Sequence, residues 1–291
     1  MEKANTNTEL EALISLLDEP DNHIFVQVRD KIFSYGTDAI PVLEDAWDQS
    51  TDNRIQQRIE GIIHNIQFEN VYEQLKGWKL KGGEDLLKGF ILVAKYQYPD
   101  LKEKEIIDKI GQIIQDVWLE LNNNLTPLEK VKVINHIFFD VHGFKGNKSD
   151  IHAPQNSFIN IIFETKRANP ISLSIIYMVV AQSLKIPVYG INLPQNFIMA
   201  YLNRMIEPGV EINRNSVQFY INAFTNGAVF TRREVELFLR QINLEQEDKY
   251  FLPCDNITVI RRVINNLIFS YANSGDTDKS EELKRLQKAL D

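Results

Sequence analysis

The stretch Asn169-Pro-Ile-Ser-Leu-Ser-Ile-Ile-Tyr-Met-Val-Val-Ala181 contains the longest apolar run of this 291-residue chain. Asn169 suits an N-cap and Pro170 suits the first helical position, so we predict an apolar helix over residues 171–184. A membrane-spanning helix needs about 20 apolar residues, more than this run provides. The first residues, Met1 to Thr8, lack the apolar centre of a signal peptide. We therefore expect a cytoplasmic protein that does not associate with membranes.

Downstream of this helix, the pattern changes to short strands and then returns to helix. Alternating or apolar runs bounded by Pro, Asn and Gly predict three strands, followed by one helix and a helical hairpin. The residue pattern of the hairpin, with a turn at Gly275, resembles a tetratricopeptide-type unit. The predicted strands are residues 188–193, 197–202 and 216–223; the helix is 231–240; the hairpin is 257–272 with 277–290.

Upstream, Thr126-Pro-Leu-Glu129 has the residues of a capping box and predicts a helix that runs to about His142. The next segment, Gly143-Phe-Lys-Gly-Asn147, contains two glycines but no Gly-Lys-Ser/Thr, so a phosphate-binding loop is not expected. A short helix is predicted over residues 156–164.

Apolar residues at helical spacing predict four short amphipathic helices in the first 70 residues. Residues 22–33 overlay 51–62 weakly, which pairs Arg29 with Arg58. This similarity is compatible with HEAT-type repeats and equally with a plain four-helix bundle. Further helical stripes follow over residues 85–96 and 106–121.

The composition excludes several classes of function. The net charge of −8 argues against a nucleic-acid partner. The single cysteine, Cys254, excludes internal disulfides, Cys-based zinc sites and Cys-x-x-Cys redox pairs. None of the five histidines lies three or four residues from another, so no helical metal pair exists. No metal and no cofactor are expected.

Several motifs occur in a recognisable order along the chain. Together they resemble the bacterial SirB-type branch of the transglutaminase-like superfamily, over roughly residues 80–291. The resemblance implies a papain-like core with a short antiparallel sheet. The motifs are Asp85-Leu-Leu, Tyr98-Pro-Asp100, Gly143-Phe-Lys-Gly-Asn147, Asn156-Ser-Phe-Ile-Asn160, Asn169-Pro-Ile-Ser-Leu-Ser-Ile-Ile-Tyr177, Gly190-Ile-Asn-Leu-Pro194 and Asn222-Ala-Phe224.

The resemblance also implies a catalytic triad, and this sequence departs from it at each position. The wider superfamily uses a Cys at a helix N-terminus, a His entering a strand and an Asp on the next strand. Here the Cys position falls on Pro170, and a one-turn ambiguity also admits Ser172. The His position reads Asn196 and the Asp position reads Asn222. None of the three can perform the family reaction, so we expect a catalytically inactive protein.

Three hypotheses for function follow. The first is an interaction or regulatory scaffold with a protein or peptide partner. The second is a hydrolase or acyltransferase that uses Ser172, with His152 as the base. In the third, Asn196 and Asn222 hold a peptide or amide by hydrogen bonds without turnover. The candidate cleft comprises Asn169, Ser172, Gln195, Asn196, Phe197, Asn222, His152 and Asn156, whereas Cys254 is expected to be structural.

The predicted class is therefore α+β and mainly helical. The predicted parts are a HEAT-like domain (1–70), a helical segment (71–124), the transglutaminase-like core (125–250) and a tetratricopeptide-like hairpin (251–291).

Overall fold

The computed structural model describes residues 2–291, with side chains from Thr8 onwards. Most of the chain is helical and two small sheets are present, which confirms the mainly helical α+β class. The helices are α1 (Glu2–Ile14), α2 (Asn22–Phe33), α3 (Ile40–Gln49), α4 (Asn53–Leu80), α5 (Leu86–Gln97), α6 (Glu103–Glu120), α7 (Pro127–Asn135), α8 (Ile159–Thr165), α9 (Pro170–Ser183), α10 (Arg232–Gln241), α11 (Asn256–Ser274) and α12 (Thr277–Gln287). The strands are β1 (Lys145–Gly146), β2 (Arg167–Ala168), β3 (Val188–Ile191), β4 (Ile198–Leu202), β5 (Val217–Asn222) and β6 (Ala228–Phe230).

The chain divides into two compact units, one ending at Gln74 and the other beginning at Leu75. This division lies inside α4, which continues as helix to Leu80. The predicted boundary at residue 70 therefore falls within a continuous helix. The parts predicted as 71–124, 125–250 and 251–291 belong mostly to the second unit.

The first unit has its own apolar core, which α1 to α4 supply. Within it, the Arg58 guanidinium donates to the carbonyl oxygens of Leu17 and Glu19 and lies 4.1 Å from the ring centre of Phe25. Arg29, its counterpart in the self-similar segments, instead pairs with its exposed neighbour Asp30. The two positions thus make different contacts, and the HEAT-type repeat stays a prediction.

The second unit is organised around α9. This helix has the predicted N-cap, with Pro170 in the first turn, and ten of its fourteen residues are buried. It packs against α5, α6 and α11 and against the sheet strands β3 and β4. An apolar helix of this kind is stable in water only when other elements cover it on every side.

The sheet beside α9 is antiparallel, with the strand order β3-β4-β5-β6. Its register places Gly190 opposite Met199 and Ala200 opposite Tyr220. The three predicted strands are confirmed, with small changes at their ends. The sequence analysis missed β6 and the parallel pair β1–β2, which contain only two or three residues each.

A partly buried hydrogen-bond network connects α7, α9 and the turn between β5 and β6. The Tyr177 hydroxyl donates to Oδ1 of Asn135 at 3.0 Å, and Nδ2 of Asn135 donates to the Gly227 carbonyl at 3.0 Å. Burial raises the pKa of Tyr177, so its hydroxyl stays neutral and available as a donor. Gly227 has a φ of +72°, and a Cβ there would lie 2.0 Å from Oδ1 of Asn135. The turn therefore requires glycine.

We expect Asn135→Ala to lower the free energy of unfolding by about 2–3 kcal/mol, because it leaves the buried Tyr177 hydroxyl without its acceptor. Urea denaturation measures this change, with the exposed Asn123→Ala as the matched control. A double-mutant cycle with Tyr177→Phe tests the coupling directly. Strictly additive effects of the two substitutions would contradict the proposed network.

Candidate functional site

A cleft of about 500 Å³ lies in the second unit, where four segments of the chain meet. They are the loop that precedes residue 154, the N-terminal end of α9, the turn between β3 and β4, and one face of α11. We call this site the cleft. It is lined by Ile151, His152, Asn169, Pro170, Ile171, Gln195, Asn196, Phe197, Arg262, Asn266, Phe269 and Ser270.

Asn169 holds the α9 end of the cleft in place. Its side chain is 4% exposed, its Oδ1 accepts from the Ser172 N–H at 3.0 Å, and its Nδ2 donates to Oγ of Ser157 at 2.9 Å. The Leu173 N–H is bonded to the Asn169 carbonyl. Pro170 has no N–H to satisfy. Of the other N–H groups in the first turn, only that of Ile171 has no acceptor among the described residues.

Asn156, predicted to line the cleft, lies behind it instead. It is 2% exposed, and its Oδ1 accepts from Nδ2 of Asn147 while its own Nδ2 donates to the carbonyls of Asp150 and Ile151. This buried amide shapes the loop that carries His152 into the wall of the cleft. The His152 ring lies edge-on to the Phe269 ring, at 5.2 Å between centres.

The turn between β3 and β4 supplies the opposite wall. Gln195 adopts a left-handed conformation, with φ of +59°, and Oδ1 of Asn196 accepts from the Phe197 N–H at 2.9 Å. Phe197 is buried, and its ring packs so closely over Gly190 that a Cβ there would lie 2.6 Å from it. Gly190 therefore allows the turn to fold down beside α9.

Two predicted site residues do not reach the cleft. Ser172 is fully buried, and its Oγ has no hydrogen-bond partner among the described residues. Asn222 ends β5, where its Oδ1 accepts from the Phe224 N–H at 3.0 Å. Neither residue lines the cleft. Of the positions matched to the triad, only Pro170 and Asn196 meet there.

The sequence analysis missed the whole contribution of α11. Arg262, Asn266, Phe269 and Ser270 line the cleft and follow one another at intervals of four, three and one residues, which places them on one helix face. That spacing was the available signal. It could not show which face of the hairpin covers the end of α9, because this depends on tertiary packing.

Arg262 is the only strongly basic group in the lining of the cleft. Its Nη1 donates to Oδ1 of Asn192 at 3.1 Å, and within residues 8–291 it forms no ion pair with a carboxylate. Burial lowers the pKa of the Arg262 guanidinium, yet an arginine stays charged in proteins.

Cys254 lies outside the lining of the cleft, and its environment suppresses its reactivity. Its Sγ donates to the Gly190 carbonyl at 3.4 Å, and burial, aided by the nearby Asp255, raises the pKa of the thiol to about 12. The thiolate is the nucleophilic form of cysteine, and at neutral pH this thiol is protonated.

The cleft therefore offers hydrogen bonds and one positive charge, but no nucleophile activated by a base. Over the part of the chain with described side chains, no group of His, Cys, Asp and Glu could hold a metal ion. No helix of residues 2–291 combines the length and the apolar character needed to cross a membrane.

Comparison with known proteins shows that most of the residues that line this cleft belong to a recognised domain. Residues 104–265 match the transglutaminase-like superfamily. The chain is 27% identical over 202 residues to a UPF0162 protein of Xylella fastidiosa (strain 9a5c), covering 67% of this chain and 68% of that protein. It is 26% identical over 248 residues to F-box only protein 21 of Mus musculus, covering 77% of this chain but only 38% of that protein. No solved structure gives a significant match.

The unpartnered hydroxyl of Ser172 gives a prediction about stability. Removing it in Ser172→Ala relieves a buried polar group without a partner, whereas Ser174→Ala breaks the bond from Oγ of Ser174 to the Pro170 carbonyl at 2.9 Å. Both residues are fully buried in the same helix, so helix propensity affects both variants alike. We expect Ser172→Ala to be the more stable variant by about 1–2 kcal/mol in chemical denaturation. The opposite order would show that the Ser172 hydroxyl is satisfied.

Proposed function

The chain belongs to the transglutaminase-like superfamily, and we propose that it is a catalytically inactive member of the SirB-type branch that acts as a protein-interaction scaffold in the cytoplasm. The observation that carries this proposal is the N-terminal end of α9. Pro170 stands there in the wall of an open cleft, where the family nucleophile would be expected.

The chemistry of the replaced positions supports inactivity. A papain-like reaction needs a thiolate at the helix N-terminus and an imidazole that accepts and returns its proton. Pro170 offers neither a nucleophile nor an N–H, and the amide of Asn196 cannot take up a proton at neutral pH. The one cysteine of the chain, Cys254, is held as a neutral thiol outside the cleft.

The retained cleft supports a role in binding. It has kept a volume of about 500 Å³ and a lining of amide side chains, each of which can both donate and accept a hydrogen bond. Peptide groups present the same donors and acceptors. Helical segments also flank the matched domain, and stacked helices commonly present extended binding surfaces.

The competing hypothesis is a hydrolase or acyltransferase that uses Ser172 with His152 as its base. The burial of Ser172 weighs against this mechanism, because a nucleophile must reach the substrate. His152 lines the cleft, whereas Ser172 does not.

We expect no turnover of peptide, amide or ester substrates by the wild-type protein, and the same result for Ser172→Ala and His152→Ala. A screen for released amine, ammonia and alcohol measures this at several pH values. Turnover by the wild type that disappears in Ser172→Ala would overturn the proposal and establish the enzyme hypothesis.

The scaffold role requires its own measurement. We expect the full chain, used as bait in native cytosol, to recover the same protein partner at low and moderate salt, with cross-links from the partner to described residues of the bait. Failure to recover any reproducible partner would refute the scaffold role even if the activity screen shows no turnover.

A further inference from the structure

The charges in the cleft are unbalanced. Although the protein carries a net charge of −8, none of the twelve residues that line the cleft is acidic. Arg262 is half-buried there, with an amide oxygen as its hydrogen-bond partner and no carboxylate within residues 8–291. A cation withdrawn from water is costly unless an opposite charge or several hydrogen bonds compensate it.

A second element adds positive potential to the same space. The N-terminal end of a helix carries a partial positive charge, and the first turn of α9 forms part of the lining. The N–H of Ile171 has no acceptor among the described residues. Arg262 on α11 and Ile171 on α9 therefore contribute to one electropositive cleft from two different elements.

We infer that the cleft binds the carboxylate of a peptide, and that the Arg262 guanidinium is the main contact of this anion. This rests on the proposed function, since it names the chemistry of the partner that the cleft takes without turnover. A guanidinium presents paired N–H donors that match the two oxygens of a carboxylate. The single bond to Asn192 leaves most of the five N–H donors of Arg262 for such a ligand.

The rest of the cleft suits the backbone and side chains of the peptide that carries the carboxylate. The amides of Asn196 and Asn266 are placed to meet peptide N–H and C=O groups, because they stand on different walls of the cleft. Phe269 is 51% exposed, which is unusual for a large aromatic side chain on a helix that buries its other face. It offers apolar contact to a ligand side chain, beside His152.

The carboxylate could come from the C-terminus of a peptide or from an Asp or Glu side chain, and the test separates these sources. Three pooled tetrapeptide libraries are compared: free C-terminus without acidic residues, amidated without acidic residues, and amidated with one Asp or Glu. Binding is measured by thermal shift and by isothermal titration calorimetry on the full chain.

We expect the first or the third library to stabilise the protein and the uncharged second library to bind at least 10-fold more weakly. Preference for the first library identifies a C-terminal carboxylate, and preference for the third identifies an acidic side chain. Equal binding of all three libraries, or binding of none, would overturn the inference.

Arg262→Gln is expected to lower the affinity for the preferred library about 10-fold to 100-fold, while Arg262→Lys retains part of it. The matched control is Arg261→Gln on the same helix, where the guanidinium already pairs with the carboxylate of Asp291 at 2.6 Å. The control should bind like the wild type. Unchanged affinity in Arg262→Gln would refute the role of Arg262.

Stability provides a readout that separates ligand binding from a structural role. An arginine without a carboxylate partner gives little stability, so the melting temperature of Arg262→Gln without ligand should equal or exceed that of the wild type. A large decrease would instead assign Arg262 to the folding of α11. If the wild-type protein binds no peptide library but recovers its protein partner, only this inference is refuted, whereas catalytic turnover would refute the proposed function.

Discussion

The burial of α9 is the constraint on which the second unit depends. The helix is apolar on every side, and α5, α6, α11 and the sheet must cover it. Burial on this scale leaves no water for the polar groups of the helix, so the protein satisfies most of them internally, and the Ser172 hydroxyl is an exception. In the first turn of α9, Oδ1 of Asn169 accepts from the Ser172 N–H and the Pro170 carbonyl accepts from Oγ of Ser174. Further along the helix, the Tyr177 hydroxyl donates to Oδ1 of Asn135.

The same constraint creates the cleft. The turn between β3 and β4 lines the cleft together with the first turn of α9, and its Phe197 ring packs closely over Gly190. The C-terminal hairpin closes the remaining side through α11 and brings Arg262 towards the N-terminal end of the helix. The cleft is thus the space left where the helix ends and three other segments meet. The walls of this space are the same elements that cover α9, so packing of the second unit alone is enough to form it.

Local chemistry made much of the fold predictable. The capping box at Thr126, the N-cap at Asn169 and the left-handed Gly275 each act within a few residues, and all three occur as the sequence indicates. Strands β3, β4 and β5 followed from their apolar runs, whereas the three-residue β6 was not predicted. Helix was predicted on both sides of residue 70 with a domain boundary between the two parts, whereas α4 runs without a break from Asn53 to Leu80.

The sequence by itself determined most of the helix and strand pattern, the absence of a cysteine at the N-terminal end of α9 and the amides at Asn196 and Asn222. Only the tertiary structure decided which of these residues share a space. It brought Pro170, Asn196 and Arg262 to one cleft, and kept Ser172 and Asn222 away from it. The physical reason is range: caps and turns act between near neighbours in the chain. The cleft is formed by segments that lie between Ile151 and Ser270 and meet only through tertiary packing.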